Sequence, residues 1–135
     1  LRGADGRFRA LPHDVNEAFR MRGNGASPDP LIAMSDTNKA LRSRLLAVPA
    51  FRERYLGYIA EIAERHLSPD AFGARVARYV GLIADDVARD TRKTSTLDGF
   101  RAAVDTSATA TASLRAFAVR RRAALLAHPE LAGRR

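Results

Sequence analysis

The sequence contains no cysteine and no tryptophan, and it has very little lysine. The absence of cysteine excludes disulfide bonds, thiolate metal sites and cysteine nucleophiles. It leaves the compartment undecided, because many secreted proteins also lack cysteine. Of the 23 basic residues only Lys39 and Lys93 are lysines, and the other 21 are arginines. Together with 26 alanines this composition is typical of a GC-rich genome, which weakens a functional interpretation of the +8 net charge.

Long apolar runs are also absent from the sequence. No window reaches the length that a membrane span requires, and the N-terminal residues lack the apolar core of a signal peptide. A length of 135 residues with 46% hydrophobic content predicts one soluble, globular domain with its own core. Because residue 1 is leucine and not methionine, we expect the chain to begin in the middle of a longer protein.

The arginines are scattered through segments of helical periodicity and stand beside acidic residues, as in Arg52-Glu53-Arg54. A basic surface attracts phosphate-bearing partners in general. The scattered pattern nevertheless favours solvated helix faces with local ion pairs over a nucleic-acid surface, because no recognition motif and no interleaved aromatic residues accompany the charge.

The chain is predicted to be mainly α, with a short N-terminal β-hairpin remnant followed by a bundle of about four to five helices. Asp5-Gly6 is a typical hairpin turn, and the short strand after it, which runs through Phe8, ends at Pro12. One short hairpin is not stable alone in water, so we expect the rest of its sheet to lie outside this sequence. The predicted parts are a hairpin with the polar segment that follows it (1–21), a loop (22–37) and a helical subdomain (38–135).

Apolar periodicity and helix-start residues define the predicted helices. Ser68-Pro69-Asp70 is a strong start, because it combines a hydroxyl cap, a proline at the first position and a carboxylate near the positive end of the helix dipole. Residues 106–113 are low in complexity and predict a loop or a frayed helix end. The predicted helices run over about residues 38–47, 49–67, 69–90, from the threonine-rich link 91–96 to Val104, and 113–128.

Aromatic side chains and one arginine lie within the apolar stripes of these helices. The aromatic residues are expected to pack in the core. Arg121 interrupts the last stripe, so it is expected either to pair with a carboxylate or to extend its charged end to solvent. His66 and His128 lie at helix ends and have no second ligand at fixed spacing, which favours a structural role. The aromatic positions are Phe51, Tyr55, Phe72, Tyr79, Phe100 and Phe117.

The one candidate site is the stretch LPHDVNEAFR, because the sequence has no phosphate-binding glycine loop, no G-x-S-x-G and no HExxH. Asp14 and Asn16 are two residues apart, which in an extended segment points both side chains to one side. Both could then reach one Mg²⁺, which takes one or two protein oxygens and completes its shell with water and phosphate. Asp and Asn also favour turns through local hydrogen bonds, so a simple polar turn is the alternative.

A series of features follows in a set order along nearly the whole chain. It comprises the Asp-Gly hairpin, LPHDVNEAF, a glycine-rich loop, DPL, LRSRLLAVPAFRERYLGYI, a long helix, DTRK and LRAFAVRRRAALL. This series resembles the C-terminal part of the CotH family, the spore-coat and secreted atypical protein kinases. The most recognisable residues are 41–59 and 114–126.

The resemblance implies a reduced kinase fold in which a strand-end PWD-x-D segment takes the place of the DFG aspartate, which holds Mg²⁺ on the phosphates of ATP. Asp14 matches the first Asp of that segment and His13 matches its Trp. Asn16 stands where many members have a second Asp, so it keeps an oxygen ligand but loses a charge. His13 and Glu17 are otherwise interpreted as turn and helix-start residues.

The resemblance further implies that the phosphate-contacting Lys, its carboxylate partner and the catalytic-loop Asp and Asn lie upstream of residue 1. This chain is then expected to hold no catalytic residue of its own and to be inactive alone. The intact protein would transfer the γ-phosphoryl group of ATP to Ser or Thr of a coat or surface protein, and would be secreted or lie at the cell surface.

Two alternatives remain open for the function. The first is a non-catalytic helical module that binds another component of a spore coat or cell envelope. The second, given less weight, is nucleic-acid binding through the arginine-rich helices.

Overall fold

A computed structural model of the chain describes residues 2–9, 11, 13–15, 18–19, 28–107 and 112–134. This part of the chain is mainly helical, with five α-helices and no strand, which confirms the predicted bundle. None of its helices is both long enough and apolar enough to cross a membrane. A 3-10 turn, Thr37–Lys39, leads into α1, and a π-helical turn, Ile62–His66, follows α2. The helices are α1 (Ala40–Leu46), α2 (Pro49–Glu61), α3 (Pro69–Arg89), α4 (Leu97–Val104) and α5 (Leu114–Leu126).

The helices begin where local chemistry favours a start. Ser68, Thr96 and Ser113 each accept a hydrogen bond through the side-chain oxygen from the backbone N–H three residues later, at 3.4, 3.0 and 3.2 Å respectively. These bonds satisfy backbone donors that the first helical turn leaves unpaired. Pro49 and Pro69 occupy first helical positions, where the missing N–H of proline costs nothing. The start predicted at Ser68 is therefore confirmed.

The core lies between α2, the π-helical turn, α3 and α5. Ala63 and Ala118 are fully buried, and these small side chains let the neighbouring backbones approach closely. Larger side chains fill the remaining space, and Leu56 among them has no exposed surface. The buried cluster consists of Leu56, Ala60, Ala63, Leu67, Phe72, Val76, Ala118, Leu125 and Leu131.

Two of the aromatic residues expected in the core are not buried there. Phe72 is buried, but Phe51 is 50% exposed and Tyr79 is 57% exposed. Phe51 lies in the first turn of α2, and Tyr79 lies midway along the 21-residue α3. The prediction assumed that neighbouring elements cover each helix along its whole length. Among the described residues no element covers these two positions, so the prediction was wrong for both.

The predicted N-terminal hairpin is reduced to one antiparallel bridge between Arg2 and Phe8. Gly3 donates its N–H to the Arg7 carbonyl at 2.8 Å, and Gly6 takes a left-handed φ of 75° at the turn. Glycine adopts this conformation without steric cost, as an Asp-Gly turn requires. No β-strand forms in the described residues, so the expected strand through Phe8 is not present there.

Ion pairs fasten the C-terminal turn to α2. Arg134 donates to both carboxylate oxygens of Glu53, at 2.5 and 2.8 Å, and Arg52 pairs with Glu130. The hydrogen bond from Arg134 lowers the pKa of Glu53 below its ordinary value and raises the pKa of Arg134. Two contacts between α2 and the turn that follows α5 thus hold the C-terminal residues in place.

Several other arginines pair with carboxylates one helical turn away. Arg89 lies 2.6 Å from the Asp86 carboxylate, and Arg65 and Arg101 pair in the same way with Glu61 and Asp98 at 3.2 and 3.1 Å. All three pairs are exposed, and pairs of this kind contribute little to stability. They agree with the interpretation of the arginine-rich segments as solvated helix faces.

Candidate functional site

Asp14 lies on an exposed segment between the N-terminal turn and the helical part of the chain. Its backbone has a φ of 49°, in the left-handed region, which is uncommon for residues other than glycine but which Asp tolerates better than most. No hydrogen bond or ion pair joins the Asp14 carboxylate to any other described residue. The carboxylate is therefore open to a ligand from solvent.

The positive φ of Asp14 contradicts the extended backbone on which the expected pairing of Asp14 with Asn16 depended. Side chains two residues apart share a face only where the backbone is extended, and a residue with a φ of 49° is not extended. A hydrogen bond of 2.9 Å from the Ala18 N–H to the Val15 carbonyl then turns the chain. Asn16 and Glu17 lie outside the described residues, and His13 is exposed. The proposed pairing of Asp14 with Asn16 thus stays a prediction.

Phe19 attaches this segment to the helices. Its ring packs edge-on against Phe72 of α3, with ring centres 6.1 Å apart, and against Phe117 of α5, at 5.5 Å. Edge-to-face pairs of this kind stabilise a contact by about 0.5–1.5 kcal/mol beyond the burial of area. Asp14 therefore lies five positions before an aromatic anchor on the helical bundle.

A second attachment holds the segment 28–31, with the sequence PDPL, through its backbone carbonyls. Arg42 of α1 donates from Nη2 to the Pro30 carbonyl at 2.5 Å, and the Tyr55 hydroxyl of α2 donates to the same oxygen at 2.6 Å. Arg121 of α5 donates to the Pro28 carbonyl. We call these three side chains the 28–31 clamp. One segment is thus bonded to three different helices.

Arg121 is the residue that interrupted the apolar stripe of the last predicted helix. Burial lowers the pKa of its guanidinium, while nearby Tyr55 and Asp29 act in the opposite direction. An arginine remains charged at neutral pH even so. We expected a carboxylate partner or a solvated end. Among the described residues Arg121 donates to the Pro28 carbonyl, and Asp29 lies close enough to act on its charge.

His128 adds a further contact to this segment. The backbone N–H of Glu130 donates to Nδ1 of His128 at 3.2 Å, which makes Nδ1 the acceptor and places the ring proton on Nε2. Nε2 lies 3.4 Å from the Asp29 carboxylate, which also accepts the Leu31 N–H at 2.6 Å. His128 therefore has a structural role, as expected for a helix-end histidine, and contacts the same segment that the clamp holds.

Sequence reasoning missed Arg42 and Tyr55 as members of a site. Both bond to a backbone carbonyl, which every residue carries, so the partner leaves no signature in the sequence. The two are also 12 and 25 residues away from Pro30 along the chain. Two features of the sequence could have indicated this site. One is Arg121 within an apolar stripe, and the other is the DPL tripeptide, which is among the motifs of the family resemblance.

Arg42 and Tyr55 both donate to the Pro30 carbonyl, so we expect their contributions to the free energy of unfolding to be coupled. Arg42 also donates to the Tyr55 hydroxyl at 3.3 Å, and its guanidinium lies 5.6 Å from the Tyr55 ring centre. We expect Tyr55→Phe to lower the free energy of unfolding by about 1 kcal/mol. The effects of Tyr55→Phe and Arg42→Met should depart from additivity by about 0.5 kcal/mol or more, because each bond polarises the other.

Urea denaturation of the two single variants and the double variant measures this coupling. Tyr58→Phe is the matched control, since Tyr58 lies on the same helix and is 58% exposed. Additive effects of Arg42→Met and Tyr55→Phe, or an equal loss of stability in the control, would show that the clamp is not a coupled unit.

Comparison with protein-family models matches residues 1–125 of this helical chain to the family described as CotH kinase protein. The match covers most of the 135 residues, and the chain therefore belongs to the CotH kinase family. The resemblance inferred from the ordered motifs is thereby confirmed. Comparison with curated proteins and with solved structures gave no significant match.

Proposed function

We propose that the chain is the C-terminal portion of a CotH-type protein kinase, and that Asp14 binds the Mg²⁺ that holds the phosphates of ATP. One observation carries the proposal. Asp14, which matches the metal-binding Asp of the family motif, is an exposed carboxylate with a left-handed backbone and no partner among the described residues. Residues held in sparsely populated backbone regions are concentrated at ligand and active sites.

The chemistry of the segment fits Mg²⁺ better than a metal that needs a full set of protein ligands. The described residues contain no group of three or more His, Cys, Asp or Glu side chains placed to hold a metal. Mg²⁺ keeps several waters and is commonly held by one or two carboxylates together with substrate phosphates. Asp14 would supply one oxygen, and Asn16, by resemblance, a weaker second. When bound, the ion neutralises charge on the phosphates during phosphoryl transfer.

The helical bundle positions Asp14 in this proposal. Phosphoryl transfer depends on positioning and on electrostatic stabilisation, so a metal ligand has to be held by rigid neighbours. Phe19 attaches the chain shortly after Asp14, and the 28–31 clamp attaches it again further on. These contacts support a role for α1, α2, α3 and α5 as the scaffold behind the metal ligand.

The substrate and location follow from the family resemblance. The intact kinase would transfer the γ-phosphoryl group of ATP to Ser or Thr of a protein of the cell surface or spore coat, and would itself be secreted or lie at the surface. The phosphate-contacting Lys and the catalytic-loop residues would come from the preceding part of the same polypeptide. The 135-residue chain alone is then inactive.

Metal removal tests this function in the protein that carries the whole kinase domain. We expect transfer of labelled γ-phosphate from ATP to a protein acceptor in the presence of Mg²⁺, loss of transfer on adding EDTA, and recovery when excess Mg²⁺ is restored. The 135-residue chain, incubated in the same way, is expected to show no transfer. Transfer that persists unchanged in EDTA would contradict the metal-dependent mechanism.

A non-catalytic interaction module is the second candidate. Large apolar side chains exposed on the helices support it, among them Leu41 at 79% and Leu82 at 68%. Under this alternative the whole protein binds another coat or envelope component but not Mg²⁺ and ATP. A measurement of nucleotide binding by calorimetry on the whole kinase domain distinguishes the two, because only the kinase releases heat on addition of Mg²⁺ and ATP.

A further inference from the structure

We infer that the groove along α1 is a docking site for an acidic segment of another polypeptide that carries an apolar anchor residue. This α1 groove has a volume of about 600 Å³, within the range of known ligand-binding clefts. It lies on the face of the bundle where Arg42 and Tyr55 reach the segment 28–31. The inference does not depend on metal binding by Asp14. The residues that define the groove are Ile32, Lys39, Leu41, Arg42, Leu45 and Tyr55.

The apolar residues that line the α1 groove are exposed to solvent. Leu41 is 79% exposed, Ile32 is 55% exposed and Leu45 is 44% exposed. α1 has only seven residues, so Leu41 and Leu45 make up a large share of its surface. Contiguous apolar patches of this kind on a soluble protein mark interaction sites. These side chains therefore favour a partner with a leucine-like or aromatic side chain that packs against them.

The charged residues that line the α1 groove are cationic. Lys39 and Arg42 are the charged residues that line it, and no acidic residue does so among the described residues. No described carboxylate lies within ion-pair distance of either cation. The nearby Asp36 accepts the Asn38 N–H at 2.9 Å, where it caps the turn before α1. Two uncompensated positive charges beside exposed apolar side chains are complementary to carboxylates that flank an apolar side chain.

Arg42 is held in position for this contact. Its Nη2 bonds to the Pro30 carbonyl and to the Tyr55 hydroxyl, which fixes the plane of the guanidinium. Nη1 makes no hydrogen bond to a described residue, so it can donate to a carboxylate of the partner. A preorganised arginine loses less conformational entropy on binding than a mobile one.

A second copy of this chain fits the α1 groove poorly. In a symmetric dimer the same patch meets itself, so the cations Lys39 and Arg42 of one copy would come close to those of the other. Like charges brought together in this way oppose association. An acidic partner is instead attracted to these two cations. We therefore assign the α1 groove to an acidic partner and not to a second copy of the chain.

Selection from a phage-displayed library of random peptides on the protein that carries the whole kinase domain tests this inference. We expect enriched peptides in which a Leu, Ile or Phe is flanked by Asp or Glu. A fluorescein-labelled peptide from the selection then reports affinity by fluorescence anisotropy. Leu41→Ser should weaken its binding about tenfold, because the anchor loses its main apolar contact. Lys39→Glu should weaken it about threefold to tenfold, with a reduced dependence on salt.

Matched variants separate the groove from general changes in apolar area and charge. Leu82→Ser removes another exposed leucine, from α3, and Arg54→Glu makes the same change in charge on α2. Both should alter affinity by less than about twofold. Leu41 is too exposed for its replacement to unfold the chain, and circular dichroism checks that it does not.

Three results would overturn the inference. The first is a selection that enriches no peptide, or only peptides without acidic residues. The second is a selected peptide whose affinity Leu41→Ser and Lys39→Glu leave unchanged. The third is concentration-dependent self-association in analytical ultracentrifugation that Leu41→Ser abolishes, since this would assign the groove to a second copy of the chain.

Discussion

Replacing Asp14 with Asn in the protein that carries the whole kinase domain is expected to lower the rate of Mg²⁺-dependent phosphoryl transfer at least about a hundredfold. Asn has the same size as Asp and also tolerates the left-handed backbone, whose φ is 49° at this position. The substitution therefore removes the negative charge and leaves the backbone preference intact. A radiolabelled ATP assay over a range of Mg²⁺ concentrations measures the effect.

Two further variants test whether the loss of activity is specific to Asp14. Asp85→Asn removes another exposed carboxylate, from α3, and should leave the transfer rate unchanged. Asn16→Asp supplies the second carboxylate that many family members carry, and should lower the Mg²⁺ concentration needed for half-maximal activity. If Asp14→Asn retained the full rate at limiting Mg²⁺, Asp14 would not be the metal ligand.

Replacing Leu56 with Ala should produce the largest loss of stability. Leu56 has no exposed surface and belongs to the buried cluster of the core. Truncation of a fully buried leucine costs about 2–5 kcal/mol, the sum of the lost transfer free energy and the cavity left behind. Domains of this size are stable by only about 5–15 kcal/mol in total. The midpoint of thermal unfolding should therefore fall by about 10 °C or more.

Leu82→Ala is the control for this truncation, because it deletes the same atoms at a position that is 68% exposed. Its free energy of unfolding should change by about 0.5 kcal/mol or less. Both values come from urea denaturation followed by circular dichroism. Equal losses in the two variants would mean that the core does not lie where Leu56 is buried.

Helix positions were predictable because their signals are local. The periodicity of apolar residues and the start at Ser68, Pro69 and Asp70 depend on neighbours within one or two turns. The structure confirms a helix at each predicted place, with ends that differ by a few residues. One local detail escaped prediction, since the π-helical turn Ile62–His66 follows α2 where an uninterrupted helix was expected.

Burial was harder to predict than helix formation. Phe51, Phe72 and Tyr79 all lie in apolar stripes, yet only Phe72 is buried. A stripe indicates which side of a helix prefers to leave water, but the lengths and crossing points of the neighbouring helices decide how much of it is covered. The same reasoning applies to Leu41 and Leu45 of α1, whose exposure produces the α1 groove.

The candidate site also combines features that the sequence predicted with features that only the structure shows. Asp14 was identified from its residue type and its place in a family motif, both of which are properties of the sequence. Its left-handed backbone and the packing of Phe19 between Phe72 and Phe117 emerge only in three dimensions. The hydrogen bonds of the 28–31 clamp to the Pro30 carbonyl could not be predicted from the sequence either, because the acceptor is a backbone oxygen.

The sequence by itself determined the mainly helical class, the family and the residue proposed to bind the metal, because these depend on local periodicity, on caps and on the order of motifs. Only the tertiary structure decided which apolar faces stay exposed and which distant side chains hold residues 28–31. The physical reason is that burial and hydrogen bonding to backbone carbonyls depend on which helices meet. Arg42, Tyr55 and Arg121 belong to three different helices, and folding is what brings them to one segment.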